Sequence, residues 1–285
     1  MVRIGVVQWQ MRDFESLEEI TDKIASIAQT AKSYAADFLL LPEYFNAPLM
    51  AHFNQKDAIK AIRKLVDYTE TIREKLVQLA LENDINIIGG SLPYYENEEL
   101  TNTSFLCQRN GTWEVQKKIH ITPSEKATWG IVGANKIQVF NTDVAKIGIL
   151  ICYDVEFPEL SRILAQNGMQ ILFVPFATDT KRNYQRVRIC AQARAIENEC
   201  YVAIAGSVGF TPRAKNMEMH YAQSAIFSPS DFSFPHDAVV VEGTINKEML
   251  IIGEINLELL ERLHCNGSVT NLKDRRTDVY EIKLK

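Results

Sequence analysis

Three polar residues of this 285-residue chain stand at the ends of predicted strands and could together carry out nucleophilic catalysis. Glu43 follows the apolar run 38–41, and Cys152 follows the apolar run 148–151. Lys118 lies at the end of a predicted hairpin strand. Ligand-binding groups collect at the carboxyl ends of strands in α/β folds. A thiol, a carboxylate and an ammonium group could serve there as nucleophile, proton acceptor and stabiliser of negative charge.

Cys152 is the candidate nucleophile because an apolar strand runs directly into it and a predicted helix begins near Pro158. Such a strand–turn–helix junction exposes a nucleophile at the top of a sheet. The backbone N–H of Tyr153 could face a developing oxyanion there. A free thiol has a pKa of about 8.5, so it needs a nearby base or cation. On this segment alone, Cys152 would also suit an inert buried cysteine.

Glu43 and Lys118 could supply the base and the cation, although each also has an ordinary structural interpretation. A glutamate after a strand is often a solvated loop residue. Alternation along the strand places Lys118 and His120 on one face and Lys117 and Ile119 on the other. A lysine pair commonly marks a charged strand end, and the histidine could be a core residue satisfied by backbone groups.

The order and spacing of these motifs resemble the nitrilase superfamily of carbon–nitrogen hydrolases. A Pro-Glu pair ends at Glu43, a Lys-x-His motif begins 75 residues later at Lys118, and Cys-Tyr-Asp-x-x-Phe-Pro-Glu begins 34 residues further at Cys152. The similarity continues through the Arg-Ala-Ile-Glu-Asn segment at 194–198 and ends at the Arg-Arg-Thr-Asp-Val-Tyr segment at 275–280. It therefore covers essentially the whole chain.

The resemblance implies a four-layer αββα sandwich with Glu43, Lys118 and Cys152 as its catalytic triad. It also implies a second glutamate in the site, for which Glu125 is the best match because a tryptophan and a glycine follow it. Lys118, held charged by two carboxylates, and the Tyr153 N–H would stabilise a tetrahedral oxyanion.

A thioester mechanism follows from these roles. Cys152 would attack an amide or nitrile carbon while Glu43 takes the thiol proton and later passes it to the leaving amine. Water activated by Glu43 would then hydrolyse the thioester. No cofactor is required, and the five histidines show no HxxxH or HExxH spacing for a metal.

Candidate substrate-binding residues lie at the same strand ends. They are Tyr44, Phe45, Trp129, Phe157, Phe176, Thr178 and Asp179. An aromatic-walled pocket with few charges would suit a small neutral amide or carbamoyl compound. Glu156 departs from the family pattern, in which many members carry arginine or a small residue, so no particular member's substrate transfers to this chain.

Other functions stay open on the sequence alone. The same triad could hydrolyse a nitrile or transfer an acyl group to an amine, and a catalytically silent binding module could use the same frame. A nucleotide-binding enzyme is the weakest alternative. The segment Gly89-Gly90-Ser91 follows a predicted strand, but neither GxGxxG nor GxxxxGK[ST] occurs.

Alternating strands and helices must position these residues. A capping box at Ser16 predicts a helix to about Tyr34, and helical periodicity predicts a long helix over about 55–81. The pair Asn110-Gly111 predicts a type I′ hairpin, and Asn246 marks a hairpin in the tail. Two sheets packed face to face, each covered by helices, would bury so many apolar runs better than one wide sheet.

Composition limits the partners and the compartment. A hydrophobic fraction of 46%, a charged fraction of 24% and a net charge of −5 are typical of a globular protein and give no sign of nucleic-acid binding. Five scattered cysteines indicate neither a disulfide framework nor a zinc site. Without a signal peptide, a membrane-spanning run, a linker or a repeat, the sequence predicts a single cytoplasmic domain over residues 1–285.

The resemblance also implies a homodimer or a higher homo-oligomer. The predicted helix over about 183–198 carries more apolar positions than one core-facing stripe needs, Ile189 and Ile196 among them. Together with the helix that begins near Pro158, it would form an isologous contact across a two-fold axis. The same positions would also suit a helix buried within one monomer.

Overall fold

Fourteen strands form one continuous sheet in the computed structural model, which describes residues 1–53, 57–214 and 216–284. The strands are β1 (Val2–Met11), β2 (Phe38–Leu40), β3 (Asn86–Ile88), β4 (Leu92–Glu96), β5 (Glu99–Cys107), β6 (Trp113–Lys117), β7 (Phe140–Asn141), β8 (Lys146–Ile149), β9 (Ile171–Phe176), β10 (Tyr201–Phe210), β11 (Met219–His220), β12 (Ala225–Phe227), β13 (Val239–Glu242) and β14 (Met249–Ile255).

Helices cover this sheet. They are α1 (Leu17–Ser33), α2 (Ala58–Leu65), α3 (Thr69–Asn83), α4 (Pro158–Gln166), α5 (Lys181–Glu197) and α6 (Leu257–Asn266). Short 3-10 turns lie at Ala47–Phe53, Val66–Tyr68 and Cys152–Glu156, and a π-helical turn lies at Glu125–Trp129. Across the described ranges, every helix is too short or too polar to cross a bilayer.

The sheet consists of two halves that β1 joins. One half runs β4-β5-β3-β2-β1, with β6 beside β5 and β14 beside β1. The other half runs β10-β9-β8-β7, with β12 beside β10 and β13 beside β12. The end of β1 pairs in parallel with β10, for example Trp9 with Ser207. The two sheets expected to pack face to face are therefore the two halves of one continuous sheet, which curls until its halves face each other.

Side chains of β2 alternate between two apolar layers. Phe38 and Leu40 face the space between the two halves, where the Phe38 ring lies 5.2 Å from that of Phe173 on β9. Leu39 and Leu41 point the other way and pack under α1 and α3. Helices α4 and α5 pack on the outer face of the other half. The predicted four-layer αββα sandwich is confirmed.

Helix α1 begins where the sequence predicts. The Ser16 hydroxyl accepts the Glu19 N–H at 3.3 Å, and the Glu19 carboxylate accepts the Glu15 N–H at 2.8 Å. These bonds satisfy donors that a helix start otherwise leaves unpaired. The buried face carries Ile20, Ile24, Ala28 and Ala31, which follow the helical period.

The predicted long helix over about 55–81 is wrong in its continuity. Residue 55 lies outside the described residues, and two helices, α2 and α3, take the place of one. A 3-10 turn at Val66–Tyr68 separates them, and the Thr69 hydroxyl donates to the Pro93 carbonyl at 2.7 Å. Buried apolar residues of both helices belong to the same core cluster. Because both helices keep the helical period of apolar residues, periodicity alone does not register the 3-10 turn between them.

The hairpin of β5 and β6 is confirmed, but its turn type is not. The strands pair up to Cys107 and Trp113, which leaves a five-residue loop rather than a two-residue turn. In this loop Gly111 has φ 86°, and the Asn110 side chain accepts the Thr112 N–H at 2.9 Å. Backbone bonds close the loop, since the Gln108 N–H donates to the Thr112 carbonyl at 2.8 Å and the Gly111 N–H to the Gln108 carbonyl at 2.9 Å. Of Asn110 and Gly111 only the glycine has a positive φ, so the turn is not type I′.

The predicted tail hairpin is wrong. Strand β14 does not pair with β13; it lies antiparallel to β1, in register from Val2 with Ile255 to Gln8 with Met249. Strand β13 pairs instead with β12. Asn246 does form the turn between them with φ 55°. The turn at Asn246 was predicted correctly. The pairing partner was not, because β14 pairs with β1 over seven residues, whereas β13 has only four.

Candidate active site

A cavity of about 420 Å³ opens at the carboxyl ends of β2, β8 and β9. Glu43 and Cys152 each follow their strand by three residues, and Ala177 directly follows β9. Lys118 enters directly after β6, and Glu125 lies on the π-helical turn. The four residues predicted as catalytic therefore all line one cavity, although 109 residues separate the first of them from the last.

Cys152 stands at the sharp turn between β8 and α4. Its φ of 49° is in the left-handed region, which costs a non-glycine residue roughly 1–2 kcal/mol. A 3-10 turn over Cys152–Glu156 then leads into α4. The thiol donates to the Ala177 carbonyl at 3.8 Å. The strand–turn–helix junction predicted for this residue is confirmed, and it places the sulfur on the cavity wall.

Arg194 of α5 holds the turn after Cys152 from behind. Its Nε donates to the Val155 carbonyl at 3.0 Å and its Nη2 to the Glu156 carbonyl at 3.1 Å. Its Nη1 pairs with Glu197 at 3.0 Å. The Arg-Ala-Ile-Glu-Asn segment thus fixes the backbone on which the nucleophile stands.

Asp154 connects this turn to the strand that carries Lys118. The buried carboxylate accepts the Ile119 N–H at 3.2 Å and the His120 N–H at 2.7 Å. His120 Nδ1 lies 3.1 Å from it. Strand β6 ends at Lys117, before both residues, and their surroundings differ: Lys118 lines the cavity, whereas the His120 ring contacts Asp154 and Phe157.

We expect Asp154→Ala to lower kcat about 10²-fold, with a smaller change in KM. The change leaves two partly buried N–H groups without their acceptor and lets the Lys118 and Cys152 segments move relative to each other. Asp154→Asn keeps one acceptor oxygen, so its kcat should lie between that of the wild type and that of Asp154→Ala. Steady-state kinetics beside thermal melting checks this. A lower melting temperature with wild-type kcat would show that Asp154 serves only the fold.

Glu43 is buried and makes contacts on both carboxylate oxygens. Oε1 accepts from Lys118 Nζ at 2.9 Å and from Asn102 Nδ2 at 2.8 Å, and Oε2 accepts the Ala177 N–H at 2.9 Å. The carboxylate also interacts with the Cys152 thiol. Burial raises the pKa of Glu43, and the negative charge of nearby Glu125 adds to this, while Lys118 opposes it. A carboxyl with a raised pKa suits proton transfer near neutral pH.

Lys118 lies between two carboxylates. Its Nζ is 2.9 Å from Glu43 Oε1 and 2.9 and 2.8 Å from the two oxygens of Glu125. Burial disfavours its charge, but these carboxylates raise the pKa of Lys118 well above its ordinary value. The lysine therefore stays an ammonium group and can act as a fixed positive charge, not as a base.

The Glu125 carboxylate accepts more hydrogen bonds than that of Glu43. The Thr122 N–H and hydroxyl donate to its Oε2 at 3.0 and 2.8 Å, and the Tyr44 hydroxyl donates to its Oε1 at 3.2 Å. Burial alone would raise the pKa of Glu125, but the Lys118 charge and the Thr122 bonds hold it below its ordinary value. Two nearby glutamates therefore differ in pKa because their partners differ, and Glu125 is the one that stays ionised.

The Cys152 thiol is protonated at rest. Burial, and then the negative charge of Glu43, raise its pKa well above the ordinary value, although Lys118 opposes this. Since only a thiolate attacks efficiently, the sulfur needs a base in contact with it when substrate arrives. Glu43 is in that position.

Several predicted pocket residues line the cavity and others do not. Those on the wall are Tyr44, Trp129, Tyr153, Thr178 and Asp179. Three placements were wrong. Phe45 packs on Trp9, Phe157 stacks on His120 at 3.6 Å, and Phe176 is fully buried beneath Gly206. Only Phe176 lies at a strand end, whereas Phe45 lies in the loop after β2 and Phe157 caps the start of α4. The side chains of all three pack against other residues rather than line the cavity.

The expectation of a pocket with few charges is also wrong. Beyond the four predicted catalytic residues, Glu156, Asp179 and Arg186 line the cavity. The sequence analysis missed Asn102, whose amide donates to Glu43 and Glu125. Its signal is the polar run 101–104 inside a strand that is buried on both faces.

The amino-acid sequence is similar to those of known carbon–nitrogen hydrolases. A sequence model of the carbon-nitrogen hydrolase family matches residues 3–264. The probable hydrolase YhcX of Bacillus subtilis is 44% identical over 284 residues, which is all of this chain and 55% of that protein. The chain therefore spans about half the length of that relative. The omega-amidase NIT2 of Mus musculus is 28% identical over 99% of this chain and 98% of its own.

Solved structures share the fold. A carbon-nitrogen hydrolase from Helicobacter pylori G27 matches with a TM-score of 0.82 at 21% identity, covering 98% of this chain and 96% of that one. The NitN amidase of Nesterenkonia sp. AN1 matches with a TM-score of 0.75 at 24% identity, covering 98% of each chain.

Proposed function

Because the chain belongs to the carbon–nitrogen hydrolase family, we propose that it hydrolyses the C–N bond of a small amide through a thioester on Cys152. The observation that carries this proposal is the contact of three groups in one cavity. Cys152 stands beside the raised-pKa carboxyl of Glu43, and Glu43 is 2.9 Å from the Lys118 ammonium. Amidase relatives such as the omega-amidase support the choice of an amide.

In the first step, the Cys152 sulfur attacks the amide carbon and Glu43 takes the thiol proton. The carbonyl oxygen becomes negatively charged, and Lys118 Nζ and the Tyr153 N–H stabilise it. Glu43 then gives the proton to the nitrogen, the C–N bond breaks, and ammonia or an amine leaves. The acyl group remains on Cys152 as a thioester.

In the second step, water replaces the amine. Glu43 takes a proton from the water, whose oxygen attacks the thioester carbon, and the same two donors stabilise the oxyanion. The sulfur leaves as a thiolate and recovers the proton from Glu43, while the acid departs. Glu125 acts by holding Lys118 in place and charged, since its own oxygens are occupied by Thr122 and Tyr44.

A panel of primary amides, carbamoyl compounds and nitriles tests the proposal, with ammonia release as the readout. Intact-protein mass spectrometry should detect the acyl group on Cys152 at short reaction times. Hydroxylamine as a competing acceptor separates hydrolysis from acyl transfer. A panel that neither releases ammonia nor acylates Cys152 would instead favour a silent binding module.

We also propose that the chain forms a homodimer through α4 and α5. Ile189 and Ile196 of α5 are 62% and 36% exposed, and a spacing of seven residues places them on one helix face. Exposed apolar side chains in such a row are typical of a contact surface. A second copy of the chain is the partner that the family resemblance implies.

We expect Ile189→Lys to convert the dimer into a monomer. In an isologous contact both protomers contribute the same residue, so the substitution places two like charges close together in the interface and destabilises it. Sedimentation velocity at micromolar concentration measures the outcome. The control is Leu81→Lys on α3, which changes an equally exposed apolar residue far from α5. A wild-type chain that sediments as a monomer would contradict the proposal.

The cytoplasmic location stays a proposal. All five cysteines are free, which is consistent with a reducing compartment. Fractionation of cells that produce the chain would test it.

A further inference from the structure

The wall of the cavity beyond the proposed triad carries more negative than positive charge. Glu156 lies on the turn after Cys152, Asp179 follows β9, and both line the cavity. Among the lining residues that the structure describes, Arg186 of α5 is the positively charged one on this part of the wall. Lys118 cannot compensate for this wall, because it already lies between two carboxylates.

Glu156 is less exposed than its ion-pair partner Arg186. Its side chain is 19% exposed, whereas that of Arg186 is 54% exposed. Arg186 Nε lies 3.4 Å from Glu156 Oε1, longer than the usual N–H···O distance of about 2.7–3.2 Å. In the described ranges Glu156 makes no other side-chain hydrogen bond. An ion pair with one exposed partner at this distance is weak, so the carboxylate keeps capacity to accept from a ligand.

Asp179 has one oxygen in use. Its Oδ1 accepts from Asn183 Nδ2 at 2.5 Å, and Asn183 also lines the cavity. Asp179 itself is exposed at the mouth. Its second oxygen can therefore accept a hydrogen bond from a group that enters the cavity.

His220 adds an acceptor rather than a donor. This cavity residue is 5% exposed, and its Nε2 lies 2.8 Å from the Met217 carbonyl, which can only accept, so Nε2 carries the hydrogen. Burial lowers the pKa of His220 to about 4, so the ring is neutral near pH 7. Nδ1 is then an acceptor, and within the part of the chain that the structure describes it has no partner.

These observations favour a ligand that brings both hydrogen-bond donors and positive charge. A buried acceptor that stays unpaired costs free energy. Within the described part of the wall, two carboxylates face one exposed guanidinium, and this balance attracts a cation and repels an anion. We propose that the substrate is a small amide carrying a positively charged nitrogen group, which Glu156 and Asp179 receive. This inference rests on the proposed amide hydrolysis and specifies its substrate class.

Three amides of equal length test the inference: 5-aminopentanamide, 5-hydroxypentanamide and the monoamide of glutaric acid. They differ only in a terminal ammonium, hydroxyl or carboxylate group. We expect kcat/KM for the ammonium compound to exceed that for the hydroxyl compound roughly 10–100-fold, since charge-assisted hydrogen bonds are worth that much. The carboxylate compound should be the poorest.

Two variants locate the effect. Glu156→Gln should reduce the ammonium-to-hydroxyl ratio to near one, mainly through KM of the ammonium compound. Glu159→Gln removes the same charge three residues later, at an exposed position, and should leave the ratio as in the wild type. A preference for the carboxylate compound, or a ratio that Glu156→Gln does not change, would overturn the inference.

A binding readout separates this inference from the proposed function. Each amide is tested for protection of Cys152 against iodoacetamide, with the modified peptide measured by mass spectrometry. Turnover of the hydroxyl compound without an ammonium preference would leave the function standing and overturn the inference. Glu156-dependent protection by the ammonium compound without turnover of any amide would overturn the proposed hydrolysis and leave the recognition of a cationic group by Glu156 standing. No protection by the ammonium compound would overturn the inference.

Discussion

Cys152→Ala is expected to abolish turnover, by roughly 10⁴–10⁶-fold, while the protein stays folded. The variant removes the sulfur that would form the thioester, and water in the cavity cannot replace a nucleophile that has been brought into contact with Glu43. Because alanine removes one atom from a position that keeps its backbone geometry, the melting temperature should change little. Full activity of this variant would contradict the mechanism.

The remaining cysteines provide the control. Cys107 and Cys200 are buried, which raises the pKa of each to about 12. Cys190 is half-buried and Cys265 is exposed. Replacing any of these four with alanine should leave kcat within about twofold, as expected for small hydrophobic residues. Alkylation must be mapped to individual peptides, because exposed Cys265 also reacts with iodoacetamide.

The alkylation rate of Cys152 should also depend on pH. Glu43 accepts the thiol proton only in its ionised form, and burial raises the pKa of Glu43. The rate should therefore fall as the pH drops through this raised pKa, and Glu43→Gln should remove that part of the profile. The same profile in Glu43→Gln as in the wild type would mean that another group is the base.

Lys118→Gln is expected to lower turnover by several orders of magnitude. The lost contact to the oxyanion accounts for roughly 10²–10³-fold. The remainder arises because two buried carboxylates lose their shared cation, which also costs roughly 3–5 kcal/mol of stability. Turnover under single-turnover conditions measures the first effect, and thermal melting measures the second.

Two variants keep this prediction testable if Lys118→Gln does not fold. Glu43→Gln keeps the size and most hydrogen bonds of the side chain but cannot accept a proton, so it should be folded and similarly inactive. Lys117→Gln changes the adjacent lysine, which is outside the cavity and pairs with Glu96, and should be nearly silent. An essential Lys117 beside a dispensable Lys118 would show that the assigned roles are reversed.

Local sequence patterns were enough to identify the chemistry-bearing groups and the elements next to them. Glu43 and Cys152 follow apolar strands, Lys118 follows a hairpin strand, and all three patterns are local. Glu125 follows from the family resemblance. The start of α1 was also predictable, because the Ser16 cap acts within four residues. Such features depend on interactions between residues that are close in the chain, so the order of residues is enough to predict them.

How distant segments of the chain meet became visible only in the folded protein. Asn102 and the Ala177 N–H complete the Glu43 contacts, Asp154 connects two segments, and β14 pairs with β1. Each depends on which strands lie side by side, and the energy of that pairing comes from burial across the whole sheet. Phe176 points into the core for the same reason. Residue type places a group at a strand end, but packing from both sides of the sheet decides which way it faces.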